Sequence, residues 1–213
     1  MDPRSGYAEI FPTRVHKFEF DKKLLETIPE SSLKVQQIDE IISTWQSNSK
    51  TSFVDVSKDL KFKKVNDEVL RLSSLVCPTH ERIGEWKIVG AWMNIQAPGQ
   101  VGFDFHAHCD SFMSCTLYLK GKGMSLGFRD EARQANTSKS NGVSNYDIQV
   151  SHTWWDDIWL PVESGDLLVF PSYQLHKPNP NEADEERISI AYNLMPCRKQ
   201  EAKRLPWSME LEL

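Results

Sequence analysis

The stretch Phe103-Asp-Phe-His-Ala-His-Cys-Asp-Ser-Phe-Met-Ser-Cys-Thr-Leu-Tyr-Leu-Lys120 carries two signals in succession. Its second half alternates. Met113, Cys115, Leu117 and Leu119 form an apolar set, while Ser114, Thr116 and Tyr118 fall between them. A period of two sends the two sets to opposite faces of a strand. The second face is polar and aromatic, which suits a lined cavity; a solvated outer face is the alternative. In the first half, His106 and His108 are two apart. On a strand both imidazoles project from one face. Two neutral imidazoles placed this way make half of a metal site.

Outward from this stretch the chain keeps the same texture. From about Trp86, apolar or alternating segments follow one another at 87–96, 101–108, 112–120, 124–128, 166–170 and 187–194, separated by Gly, Pro, Asn and Asp. That rhythm predicts an antiparallel sandwich or barrel. Residues 130–151 are polar and poor in strand signals, and a loop of that length in a compact domain tends to be functional. The segment His152-Thr-Trp-Trp-Asp-Asp-Ile-Trp159 places three tryptophans where they form either a substrate wall or edge-strand packing.

The first third reads as mainly helical. Val35, Ile38, Ile42 and Trp45 recur at helical spacing over 31–45, with Ser31 or Ser32 as N-cap. A second helix is expected from near Asn66, carrying Val69, Leu70 and Leu75 and ending before Pro78. Such helices cover one face of a sheet. His16 and His80 have no partner motif there and read as structural, and His152 as a loop histidine.

Two later features bear on the histidine pair. A third histidine closes Gly165-Asp-Leu-Leu-Val-Phe-Pro-Ser-Tyr-Gln-Leu-His176. Eleven residues on, Arg187 opens Arg187-Ile-Ser-Ile-Ala-Tyr-Asn193, so Arg187, Ser189 and Asn193 share a strand face. A guanidinium fixed inside a barrel needs an anion, because an unpaired buried charge is very costly. A substrate carboxylate meets that need through a bidentate pair.

Composition narrows the classes. Hydrophobic residues make up 39% and charged residues 26% of 213, an ordinary globular balance. A net charge of −5, with only short basic clusters, argues against a partner in duplex nucleic acid. The four cysteines, Cys77, Cys109, Cys115 and Cys197, lack regular spacing and read as reduced thiols. No apolar run approaches the roughly 20 residues of a membrane span. These features together lead us to expect a soluble, cytoplasmic protein without a membrane partner.

The motifs in this order resemble the iron(II)- and 2-oxoglutarate-dependent oxygenases. More narrowly, they are similar to an uncharacterised bacterial and phage group of 2OG-Fe(II) oxygenases. The matching pieces are Ala91-Trp-Met-Asn94, His106-Ala-His108, Ser114-Cys-Thr-Leu-Tyr118, Phe170-Pro-Ser-Tyr-Gln-Leu-His176 and Arg187-Ile-Ser-Ile-Ala-Tyr-Asn193; Ile10-Phe-Pro-Thr13 is similar to that group's start. The resemblance covers most of 86–195. It implies a mainly β fold, a double-stranded β-helix (a jelly-roll or cupin-like barrel), with N-terminal helices packed on one face. It also implies one domain over 1–213, with a helical support region at 1–85, the core at 86–196 and a tail at 197–213.

By the same resemblance, His106, His108 and His176 would hold Fe(II). Arg187 would bind the distal carboxylate of 2-oxoglutarate with help from Ser189, and Tyr118 and Asn94 would add contacts. The expected reaction is hydroxylation of a small molecule or peptide by O₂, with succinate and CO₂ as co-products. Most of these oxygenases use two histidines and a carboxylate. Here His108-Cys-Asp110 offers an HxD register beside His106-Ala-His108, so Asp110 stands as an alternative ligand. Barrels of this type also allow a homodimer.

Two other classes stay open on the sequence. A metallo-β-lactamase-type hydrolase would need HxHxDH, and Ser111 occupies the place of its last histidine. A cupin-like binding protein without turnover could keep the histidines, but would have no need of Arg187 with Ser189.

Overall fold

A computed structural model describes residues 13–33, 50–51, 55–129 and 157–198. Two antiparallel sheets dominate. The strands are β1 (His16–Glu19), β2 (Lys50–Thr51), β3 (Ile83–Gln96), β4 (Met113–Lys120), β5 (Met124–Arg129), β6 (Asp157–Val162), β7 (Asp166–Pro171), β8 (Leu175–Pro178) and β9 (Arg187–Arg198). The major sheet has the order β1-β7-β4-β9-β3-β2, and the minor sheet β6-β5-β8.

The period-two pattern of the major sheet feeds two apolar layers. One set, Met113, Cys115 and Leu117 of β4 with Leu167 and Val169 of β7 and Ile188, Ile190, Tyr192 and Leu194 of β9, packs in one cluster with N-terminal residues Phe20, Val56, Phe62, Val65 and Val69. The opposite set, Tyr118, Leu168 and Phe170, packs against Met124, Leu126 and Phe128 of the minor sheet. The second layer therefore lies between the sheets, as a double-stranded β-helix requires. By strand parity Ser114, Thr116 and Tyr118 face this layer, so that face of β4 turns inward rather than to solvent.

The helix expected from Asn66 runs Lys63–Ser74 and buries Val65, Asn66, Val69, Leu72 and Ser73. It starts earlier than expected, and Leu75 lies past its end, exposed at 66%. Two polar contacts tie it to the sheet: Tyr192 Oη donates to Asn66 Oδ1 at 3.1 Å, and Ser73 Oγ lies 3.2 Å from Cys115 Sγ. Near the start of the helix expected at 31–45, a 3₁₀ turn spans Glu30–Leu33; residues 34–45 lie outside the described residues. So do 10–12, the polar stretch 130–151, His152, Trp154, Trp155 and the tail from 199 onward. Among the described residues, no helix is long and apolar enough to cross a membrane.

One strand expectation needs correction, and further strands appear where none was expected. Residues 101–108 form no strand; they run as an extended loop with one bridge, His106 to His176. A Cβ added at Gly102 would collide with the Pro178 ring of β8 and press on the Gln96 side chain of β3, so the loop's close passage favours a residue without a side chain there. Within the N-terminal region, expected to be mainly helical, two short strands also appear: β1 pairs with β7 and β2 with β3. Finally, β6 was legible only as a tryptophan-bearing stretch. It is an edge strand, which is why Pro161 is tolerated within it. Its Trp159 lies flat on Gly127 of β5, the packing alternative for that residue.

Candidate metal centre

His106, His108 and His176 each offer a ring nitrogen, and these three atoms lie within 4.8 Å of one another. Backbone pairing creates this convergence. His106 N–H donates to His176 O at 3.1 Å, His176 N–H to His106 O at 3.0 Å, and His108 N–H to Ser172 O at 2.9 Å. The loop carrying the first two histidines is thus laced to β8 and the turn before it. The ring centroids sit 4.5 to 5.3 Å apart.

Hydrogen bonding identifies the free nitrogens. His106 Nδ1 lies 2.8 Å from Asp104 O, and His176 Nδ1 lies 2.9 Å from Gln174 O. Carbonyl oxygens only accept, so both Nδ1 atoms carry the proton. His108 Nδ1 donates to Asn193 Oδ1 at 2.6 Å. In all three rings the lone pair is left on Nε2. This is the tautomer of metal-ligating histidines, whose other nitrogen is held by an oxygen.

Burial keeps the cluster neutral. It lowers the pKa of all three imidazoles, most of all His176, to about 3, where the nearby His106 adds to the effect. A neutral imidazole is the form that binds a cation. The shift also sets an acid limit on the apo protein. His176 accepts protons more readily when unfolded, where its ordinary value is 6.5, than when folded. Stability therefore rises with pH across that interval and is lost as pH falls from about 6.5 towards 3. Apo melting temperature measured between pH 7 and 4 should fall, and fall less steeply in His176→Ala. Equal slopes would refute the assignment.

Asp110 does not join the cluster. It is exposed, and acts on His108 only as a distant negative charge. Trp92 stands 5.3 Å from the His108 ring, and Phe170 lies 4.7 Å edge-on to His176.

The sheet register gathers the other expected site residues. Ser189 of β9 stands between Asn94 on β3 and Tyr118 on β4, and Arg187 stands opposite Gln96. Asn94, Ser189 and Tyr118 make one row across three strands, and Arg187 with Gln96 the next. Further along the same face of β9 stands Asn193, the partner of His108. One strand face thus connects this polar patch with the histidines.

Arg187 is only 2% exposed. Its Nη1 donates to Asn179 O at 2.6 Å and to Gln96 Oε1 at 3.2 Å, and its Nη2 donates to Pro180 O at 3.1 Å. All three acceptors are neutral, and no carboxylate among the described residues pairs with it. Burial lowers its pKa, partly opposed by Tyr118. Arg187 Nε, Tyr118 Oη and Gln96 Nε2 are buried without a hydrogen-bond partner among the described residues. Burial also raises the Tyr118 pKa, so the phenol keeps its proton. Orphaned donors of this kind cost about 1–3 kcal/mol each. An anion placed among them would satisfy them together. This patch suits a carboxylate, and the three Nε2 atoms suit a divalent metal.

Sequence reading missed several participants. Gln96 shares strand parity with Asn94, so its direction was readable. Ser172 lay within a recognised motif, yet its closeness to His108 depends on the turn before β8. The Asn179 and Pro180 carbonyls carried no side-chain signal. His16 pairs with Val169 in the sheet, and His80 Nδ1 accepts the Arg82 N–H; both stand apart from the cluster.

Similarity to known proteins agrees with this geometry. Residues 90–193 match the family described as "Putative 2OG-Fe(II) oxygenase". HygX from Streptomyces hygroscopicus, solved with nickel and 2-oxoglutarate bound, is 12% identical with a TM-score of 0.57; the match covers 86% of this chain and 83% of that one. A prolyl-4-hydroxylase from Pseudomonas putida is 14% identical with a TM-score of 0.53, over 85% of this chain and 92% of that one. At such identities the likeness is one of fold. No curated protein matches the chain. Residues 90–193, which hold the histidine cluster and the buried arginine, are thus similar to the 2OG-Fe(II) oxygenase family.

Proposed function

We propose that this protein is an Fe(II)- and 2-oxoglutarate-dependent dioxygenase in which His106, His108 and His176 hold the iron and Arg187 anchors 2-oxoglutarate. The observation that carries the reading is the pairing of two unmet needs within one barrel. Three imidazoles present free Nε2 atoms to one point. Beyond them lies a buried guanidinium with no acidic partner among the described residues. A cupin-like binder would have no use for the second feature, and a two-metal hydrolase would need further ligands than the described cluster offers.

Iron, when bound, supplies the redox chemistry that couples R–H + O₂ + 2-oxoglutarate to R–OH + succinate + CO₂. The chain's own residues do the rest. Arg187 and the Tyr118 hydroxyl hold the distal carboxylate, with Ser189 and Asn94 completing the row beside them. That fixes the other end of the 2-oxoglutarate near the histidines. Trp92 and Phe170 pack against the His108 and His176 rings and help hold them in place. A cytoplasmic location, where thiols stay reduced, fits the four free cysteines.

The test is succinate formation from 2-oxoglutarate by protein loaded anaerobically with Fe(II) and then exposed to O₂. Succinate should appear only with iron and O₂ together, and chelation should abolish it. Absence of succinate across broad substrate panels, with iron demonstrably bound, would favour the binding-protein reading instead.

A further inference from the structure

Of the three imidazoles, His106 and His176 are fastened by backbone carbonyls. His108 is fastened by side chains. Its Nδ1 lies 2.6 Å from Asn193 Oδ1 and 3.1 Å from Ser114 Oγ. Ser114 Oγ is in turn 2.8 Å from Ser172 Oγ, and Ser172 Oγ is 2.7 Å from Ser111 Oγ. Ser114 and Ser172 are completely buried, while Ser111 is half-buried. A chain of three hydroxyls thus runs from the barrel surface to a ring nitrogen of the metal cluster. Ser172 holds His108 a second time, because its carbonyl accepts the His108 N–H at 2.9 Å.

We propose that Asn193, Ser114 and Ser172 form a positioning network that sets the orientation and ligand strength of His108. This rests on the reading that the histidines hold iron. Proton directions follow from the chemistry. Asn193 Oδ1 only accepts, so His108 Nδ1 carries the proton and shares it with Ser114 Oγ. The Ser114 hydroxyl is then free to donate to Ser172, and Ser172 to Ser111. A hydroxyl that donates becomes a better acceptor, so each link outward strengthens the hold on the His108 N–H. A more strongly held N–H makes Nε2 a stronger donor to the metal and narrows the ring's rotation. Backbone carbonyls cannot be altered by substitution, whereas these three side chains can. His108 is therefore the ligand through which sequence change tunes metal affinity.

The experiment is titration of the apo protein with Co(II), followed by calorimetry and by the visible Co(II) absorption band, with apo melting temperature as the check on folding. Asn193→Leu should weaken Co(II) binding by about 10–100-fold and shift the band. Ser114→Ala and Ser172→Ala should weaken it less, in that order. Asn193→Asp, which keeps the acceptor oxygen, should restore affinity to the parent value or above. If Asn193→Leu fails to fold, Ser114→Ala, which removes a single atom, reads the network by itself. Folded variants that bind Co(II) like the parent overturn the network and leave the metal site standing. A parent that binds no Co(II) overturns both.

Discussion

Arg187→Met is expected to weaken 2-oxoglutarate binding by a factor above about 100 while hardly moving the apo melting temperature. Breaking a buried charge pair by removing one partner costs about 3–5 kcal/mol. Each 1.4 kcal/mol is about tenfold in affinity. Met fills much of the space the arginine leaves. In the apo protein two effects oppose each other. Removing a buried cation that lacks an acidic partner relieves several kcal/mol of desolvation. Against that, Gln96 Oε1, Asn179 O and Pro180 O lose their donor, at about 1–3 kcal/mol per buried orphan. The sums are similar, so they nearly cancel. Arg187→Lys keeps the charge but loses the planar fork, and should fall between parent and Met. Calorimetric titration of anaerobic Fe(II)-loaded protein with 2-oxoglutarate makes the measurement. Unchanged affinity together with a collapse of apo stability would show that Arg187 is a structural residue and sink its assignment.

His176→Ala should abolish succinate formation and lower Fe(II) affinity by more than the roughly 10–100-fold typical of outer partners. The backbone bonds between His106 and His176 do not involve the imidazole, so the loop should stay laced to β8. His176 is 4% exposed and packs on Phe170, so the change leaves a small cavity. Cavity formation costs apo stability, yet the variant also loses a buried base that resists protonation. The clearest reading is therefore the metal-dependent rise in melting temperature, which binding to the folded state produces. It should be present in the parent and absent in His176→Ala. A variant that keeps this rise undiminished would remove His176 from the metal site.

The Arg187 prediction was half visible in the sequence. That Arg187, Ser189 and Asn193 share a face follows from strand parity, which is a local property. So does the opposition of Met113, Cys115 and Leu117 to Ser114, Thr116 and Tyr118. Where local signals were short, reading failed. β8 has four residues and β1 has four, too few for alternation to stand out. The segment 101–108 alternates like a strand, yet its one β-bridge is at His106, with a further backbone bond from the His108 N–H to Ser172 O. Its extended course comes from hydrogen bonds to residues far along the chain, which no window of sequence contains.

The same division holds for the site. By itself, the sequence determined which side chains could bind a metal and an anion, because residue chemistry and two-residue periodicity are written in neighbours. Only the tertiary structure decided between Asp110 and His106 as neighbours of His108, left Arg187 without an acidic partner among the described residues, and placed Asn193 and Ser172 behind the histidines. These outcomes depend on contacts between positions far apart: 85 residues from His108 to Asn193, 58 from Ser114 to Ser172 and 91 from Gln96 to Arg187. Such contacts arise when strands pair across the barrel and bury polar atoms that then must find partners. Sequence names the donors and acceptors, and burial decides which of them meet.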